Sequence, residues 1–253
     1  SLSVVVPATD RPPTLERCRQ AIEAARCPED EVLVVDAPAE LTASGARNLG
    51  ARRATGDVVV FVDADVEVKP DALERIRAHF AVPAATGVFG SYDDEPEART
   101  TVSAFRNLLH HHVHQASPGR AETFWTGLGA VRRDALLAVG GFDEARYPHP
   151  SIEDIDLGAR LTAAGHRIEL DPAIQGRHLK VWTLRSMLWT DLARRGVPWV
   201  VLQLRNRRTS GALNCGWRYR VSALAVVAVV VALLLAQPAP VAAAAAILLG
   251  ATR

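Results

Sequence analysis

Cysteine is scarce in this chain. Cys18, Cys27 and Cys215 are the three in 253 residues, and none belongs to a Cys-X-X-Cys pair. That spacing offers neither a disulfide framework nor a cysteine-built zinc site, and it suits a reducing compartment or simple small apolar packing. An excess of one charge is missing too: 29 Lys plus Arg against 28 Asp plus Glu leave a net +1. No global positive field therefore argues for nucleic acid. Glycine loops that cradle phosphates are also absent. No Gly-X-Gly-X-X-Gly follows the first predicted strand and no Gly-Lys-Ser/Thr occurs, which disfavours a dinucleotide site and a P-loop. Nothing in the opening residues reads as a leader peptide; the given sequence begins on Ser1 and stops within an apolar run. Both ends read as cuts from a longer protein.

What is present centres on Val58-Val59-Val60-Phe61-Val62-Asp63-Ala64-Asp65. Five apolar residues, four of them β-branched, predict a strand buried on both faces. Two carboxylates follow at its C-terminal end, where open α/β sheets bind ligands. On extended backbone a spacing of two sends both side chains the same way. Converging carboxylates repel unless a cation lies between them, and hard oxygen ligands suit Mg²⁺ or Mn²⁺. The competing reading is an Asp-rich turn that caps the next helix.

Strands are expected at Leu2–Val6, Glu31–Asp36 and Gly87–Tyr92, with helices to about Arg26, over 42–55, to His79 and over 100–115. The alternation implies an α/β fold with a mostly parallel, Rossmann-like sheet. Length suits one large α/β domain or two small ones. Pro7 closes the first strand, and Thr9 and Asp10 in the following loop are available to a ligand or as helix caps. Asp36 ends the second strand, a common ribose or base contact and equally an ordinary loop acid. His110 and His114 are four apart, but no nearby acid or cysteine completes a zinc set. Trp125 and Gly127 lie in a Gly-rich apolar stretch where backbone can approach a ligand. Arg167–Leu170 is expected as a strand turned by Asp171-Pro172. In Ile152-Glu153-Asp154-Ile155-Asp156 the carboxylates suit a helix start, yet three in four residues exceed what capping needs. Glu153 or Asp154 is a candidate general base. His178 is a candidate further metal ligand.

Composition changes near residue 220. Val221–Ala236 is apolar except for Ser222, and as a helix it covers roughly 24 Å, slightly short of a ~30 Å bilayer core. Trp217 and Tyr219 are placed as interfacial anchors. Gln237-Pro238-Ala239-Pro240 interrupts, and Val241–Ala251 resembles the start of a second span. Three regions are expected: a domain over 1–200, a basic and aromatic membrane-interface linker over 201–220, and transmembrane segments over 221–253. Arg-rich sequence with Trp182, Trp189, Trp199 and Trp217 suits an anionic leaflet. Positive residues before Val221 put the domain on the cytoplasmic side of the cell membrane.

Taken together, Val4-Val5-Val6-Pro7-Ala8-Thr9, Val34-Val35-Asp36, Ala46-Arg47-Asn48-Leu49-Gly50, Phe61-Val62-Asp63-Ala64-Asp65, Gly140-Gly141-Phe142-Asp143-Glu144 and Glu153-Asp154-Ile155-Asp156-Leu157 resemble a family-2 glycosyltransferase of GT-A fold. The resemblance covers about residues 1 to 200. It implies a nucleotide-sugar donor, foremost a UDP-sugar, a divalent cation (Mn²⁺ or Mg²⁺), and transfer with inversion. Carried over by position, Thr9 and Asp36 hold the nucleoside with Arg47 near it. Pro7, Ala64, Trp125 and Gly127 complete the donor site. Asp63 faces ribose or metal, Asp65 and His178 bind metal, and Asp154 is the base with Glu153 beside it.

The sequence departs from the family where Asp36-Ala37 replaces two adjacent acids and where Asp10 stands for Asn. It lacks the Gln-X-X-Arg-Trp of processive synthases, so transfer of a single sugar is expected. The acceptor is expected to be a hydroxyl on a lipid-linked or cell-envelope glycan, delivered at the bilayer, with no nucleic-acid partner. The alternatives are a polyprenyl-phosphate glycosyltransferase and a non-catalytic sugar-nucleotide scaffold.

Overall fold

The β-branched run Val58–Val62 is wholly buried and forms the centre of a sheet. The computed structural model describes residues 1–206 and, beyond them, 221, 222, 224, 225, 228 and 229. By its contacts the chain divides into Ser1–Asn206 and Arg207–Arg253. In the first unit the order is β1 (Leu2–Pro7), α1 (Leu15–Ala25), β2 (Glu31–Val35), α2 (Ala43–Arg53), β3 (Val58–Val62), β4 (Val66–Val68), α3 (Ala72–Phe80) and β5 (Gly87–Tyr92). Then come α4 (Thr101–Gln115), β6 (Gly119–Ala121), β7 (Leu128–Arg132), α5 (Arg133–Ala138), α6 (Glu153–Ala163), β8 (Ile168–His178), α7 (Leu184–Trp189), a π-helical turn (Thr190–Gly196) and α8 (Val197–Asn206).

The sheet runs β2-β1-β3-β7-β5-β8-β4, with β6 also on β8. It is mixed, which corrects the mostly parallel expectation. The β-α-β-α-β opening gives parallel pairs of β1 with β2 and with β3. β7 then inserts antiparallel between β3 and β5. Short strands reached through loops rather than full crossover helices can pair either way. A second correction concerns β8, a continuous strand where a turn at Asp171-Pro172 was expected. Its pairing with β5 passes from Phe89↔Leu170 to Ser91↔Gln175, so the Asp-Pro pair bulges from the ladder instead of ending the strand.

Local chemistry sets the helix starts. Thr42 accepts a 3.0 Å bond from Gly45 N–H at the head of α2, and Thr100 caps α4 through Ser103 N–H. Leu2, Val4, Val6, Ile22, Val60, Leu73, Ile76 and Ile174 belong to one core cluster between helices and sheet. Pro198 has no N–H for the Arg194 carbonyl four residues back, and the Ser151 hydroxyl donates to that carbonyl instead. The widened turn just before Pro198 fits this break in the helical ladder.

Among the described residues no helix is long and apolar enough to cross a membrane. The apolar runs 221–236 and 241–251, and the linker from 207 to 220, lie outside the described residues apart from the scattered positions above.

Candidate functional site

Parallel pairing puts the C-terminal ends of β1, β2 and β3 on one edge of the sheet, so Pro7, Asp36 and Asp63 share it. β5 and β8 point the same way, bringing Tyr92 and His178 to that edge. Edges of this kind hold ligands in open α/β sheets.

Arg47 joins the two halves of the site. From α2 its guanidinium donates to Asp63 Oδ1 at 2.8 Å and to Glu153 Oε1 at 3.0 Å. It is buried, over the Phe142 ring. Burial pushes its pKa down, but the charges of Asp63 and Glu153 outweigh this and hold it above the ordinary arginine range. The Gly140–Glu144 motif braces α2 from the other side. Asn48 accepts from Phe142 N–H at 2.8 Å and donates to Phe142 O and to Glu144 Oε1. Gly141 has φ +68°, and a Cβ there would meet Asn48 Oδ1 at 2.4 Å.

The three carboxylates opening α6 divide their work. Asp156 is buried between Arg146 (3.1 Å) and Arg160 (2.8 Å), a structural pairing. Glu153 accepts from Arg47 and, at 2.7 Å, from Ser151 N–H. Asp154 accepts from Ile155 N–H, and among the described residues no cation hydrogen-bonds to it. Burial, then the neighbouring Glu153 charge, push its pKa up to about 7, against the pull of Arg47 and Arg195. A carboxyl poised near neutrality at a cleft suits proton transfer.

The expectation that Asp63 and Asp65 point together fails. β3 ends at Val62, and Asp63–Asp65 form a tight turn closed by Val66 N–H to Asp63 O at 2.9 Å. Asp63 turns to Arg47, while Asp65 Oδ2 lies 3.7 Å from His178 Nε2. Burial pushes Asp65 up, but the nearby His178 ring, with the Lys180 charge, outweighs it and keeps the carboxyl below its usual range. Strand pairing of Val66 with His178 makes this approach, and Leu179 N–H donates to Asp65 O at 2.8 Å.

Tyr92 stacks on His178 with centroids 4.2 Å apart and planes at 12°. His110 follows at 4.3 Å from Tyr92 and 3.9 Å from His114, against Trp125. Among the described residues neither buried His110 ring nitrogen has a hydrogen-bond partner, and burial, then the His114 and His178 charges, hold its pKa well below the imidazole range. His114 Nδ1–H donates to Gly90 O, 2.8 Å away. The His110–His114 pair is thus packed into an aromatic wall behind His178.

Among the described residues no three His, Cys, Asp or Glu side chains converge as a metal cluster. The donor chemistry still fits a divalent cation at Asp65 and His178. Such ions are commonly held by one or two carboxylates, with water and ligand phosphates filling the remaining positions.

The other predicted residues fall around this edge. Thr9 donates to Leu41 O at 3.1 Å, and Asp36 is exposed. Ala64 O accepts from Thr14 at 2.8 Å. Gly127 O accepts from Asp63 N–H at 3.2 Å, and the space above Gly127 is taken by Trp125, whose indole carbon would lie 2.3 Å from an added Cβ. Tyr92 and Arg195 carried no motif in sequence. Arg195 is exposed on the π-helical turn, and its charge reaches Asp154, Tyr92 and His110. Its only sequence signal was its place in an Arg-rich stretch.

This sheet, with an acidic turn after its third strand and a carboxylate helix start facing it, is the GT-A glycosyltransferase fold. Residues 38–140 match the family described as glycosyl transferase family 2. It is 28% identical over 170 residues to the pre-mycofactocin glycosyltransferase of Mycobacterium tuberculosis, covering 63% of this chain and 36% of that one. The chain thus spans about a third of the length of this relative. A mannosyltransferase from Pyrobaculum calidifontis in complex with GDP-Man and Mn²⁺ superposes with TM-score 0.52 at 19% identity, covering 98% of this chain and 86% of that one. TarS of S. aureus in complex with UDP-GlcNAc gives TM-score 0.54 at 16% identity, covering 72% and 59%. At these identities the structural likeness establishes the fold.

Proposed function

We propose that the domain transfers one sugar, with inversion, from a nucleoside-diphosphate sugar, foremost a UDP-sugar, to an acceptor hydroxyl. The observation that carries this is Arg47, which ties the donor-side Asp63 to the base-side Glu153 and so sets Asp154 beside the cleft. Thr9 and Asp36 would hold the nucleoside at the ends of β1 and β2, with Pro7, Ala64, Trp125 and Gly127 shaping the donor site. Asp65 and His178 would hold a divalent cation, Mn²⁺ or Mg²⁺, which when bound offsets the charge of the diphosphate. Asp154 takes the acceptor proton as the acceptor oxygen bonds to the anomeric carbon. The bond from that carbon to the diphosphate breaks, and the diphosphate leaves with the electron pair. A single in-line displacement inverts the carbon.

The same reading places the domain on the cytoplasmic side of the cell membrane, with an acceptor delivered there. The cytoplasmic side rests on the positive residues before Val221, and delivery at a bilayer is supported by an exposed apolar stripe on the helices after β8: Leu184, Leu188, Trp189, Leu192, Val200 and Leu204. Single exposed apolar residues are ordinary, whereas a run of them along one helical segment marks an interaction surface.

Calorimetry with a panel of sugar nucleotides, in Mn²⁺ and in EDTA, tests the proposal. Metal-dependent binding of one donor, followed by release of its nucleoside diphosphate when acceptor is added, is the expected result. Donor binding without any turnover on membrane-extracted acceptors would return the domain to the scaffold reading.

A further inference from the structure

A groove of about 370 Å³ lies between α8 and the loop before α6. Its floor is apolar, from Tyr147, Val197, Val201 and Leu202, and it carries Arg194 and Arg205. Helical spacing orders these residues. Arg194, Val197, Val201 and Arg205 are three or four apart, so they follow one helix face with a cation at each end and apolar residues between. The face spans roughly 16 Å at ~1.5 Å per residue. Among the described residues neither Arg194 nor Arg205 forms an ion pair. Val197 and Val201 are 64% and 41% exposed, so this apolar floor lies open.

The groove adjoins the proposed base. Ser151 lines it, donates through its backbone N–H to Glu153, and donates through its hydroxyl to the Arg194 carbonyl. Arg194 faces the groove while the next residue, Arg195, sends its charge to Asp154. A ligand in the groove therefore reaches the acceptor side of the cleft.

We infer that this groove is the acceptor's seat, and that the acceptor is an amphiphile whose phosphate pairs with Arg194 and whose apolar chain lies along Val197, Val201 and Leu202. The inference rests on the glycosyl-transfer reading and gives it an acceptor class. Charge complementarity selects an anion at Arg194. The apolar floor selects an alkyl or isoprenoid chain over a second sugar, and the Arg205 stem covers the far end of that chain.

The test uses the full chain and decyl phosphate below its micellar concentration, with inorganic phosphate and decanol as controls. Decyl phosphate is expected to bind about tenfold or more tighter than either control. Arg194→Gln and Val201→Asp should each weaken it about tenfold while donor binding and thermal unfolding stay unchanged. Val197→Ser, a milder change on the same floor, should weaken it severalfold. Equal binding of decyl and inorganic phosphate, or no response to Val201→Asp and Val197→Ser, overturns the inference. Binding that appears only after residues 207–253 are removed also overturns it, because the groove then belongs to the chain's own C-terminal segment. Donor binding separates the two readings. A donor that binds while decyl phosphate does not overturns the groove alone, and the reverse overturns the glycosyl-transfer reading and leaves the groove.

Discussion

Arg47 and Glu153 lie 106 positions apart in the chain and meet in a buried ion pair of 3.0 Å. The same guanidinium holds Asp63, so one side chain fixes the spacing between a strand end and a helix start. Removing it leaves two carboxylates without their cation, one of them buried.

Arg47→Met should therefore destabilise the domain by about 3–5 kcal/mol in urea unfolding, since breaking a buried pair costs far more than the pair is worth. Arg47→Lys should recover part of the stability but little donor affinity, because an ammonium cannot span both carboxylates in one plane. Equal donor affinity in Arg47→Lys would show that the fork geometry is not used.

Asp154 should govern the pH profile. With its carboxyl raised to about 7, kcat is expected to rise with pH through a limb near 7 as the base ionises. Asp154→Asn should lower kcat by about 10²–10⁴ and erase that limb. Stability should move the other way. A raised folded-state pKa means that folding takes up a proton between the unfolded value and 7, so the wild-type domain loses stability as pH rises across that window. Asp154→Asn should therefore unfold at a higher temperature than wild type above pH 7, and match it near pH 4. A variant both inactive and less stable at pH 8 would assign Asp154 to structure.

Asp65→Ala and His178→Ala should each weaken Mn²⁺-dependent donor binding by ~100-fold, read by calorimetry and by the electron paramagnetic resonance signal of free Mn²⁺. Asp65→Ala should keep its thermal stability, its side chain being partly exposed, whereas His178→Ala should fold with some loss of stability, its ring being buried against Tyr92. Tyr92→Leu removes the ring stacked on His178, and should weaken Mn²⁺ binding by ~10-fold. Unchanged Mn²⁺ binding in all three would remove the metal from this pair.

Gly127→Val should cost about 1–3 kcal/mol by displacing the Trp125 indole from the space above it. Because Gly127 O holds Asp63 N–H, the same change should shift the acidic turn and lower donor affinity. Thermal unfolding and donor calorimetry on one sample measure both effects.

The amino-acid sequence by itself determined the parts that rest on local chemistry. The β-branched run Val58–Val62 dictates a buried strand, Thr42 and Thr100 dictate helix starts, and the ordered short motifs carry the family resemblance. Most strands and helices of the first unit follow from such signals. The tertiary structure alone decided strand direction, since pairing of β7 between β3 and β5 depends on contacts far apart in sequence. It also decided the direction of side chains in the acidic turn. A two-residue spacing implies common direction only on extended backbone, and here the chain turns at Asp63, sending one carboxylate to Arg47 and the other to His178. Tyr92, Arg195 and the groove beside Ser151 carry no local signature. Their roles come from what folding sets beside them, which a single sequence encodes only through the sum of its packing.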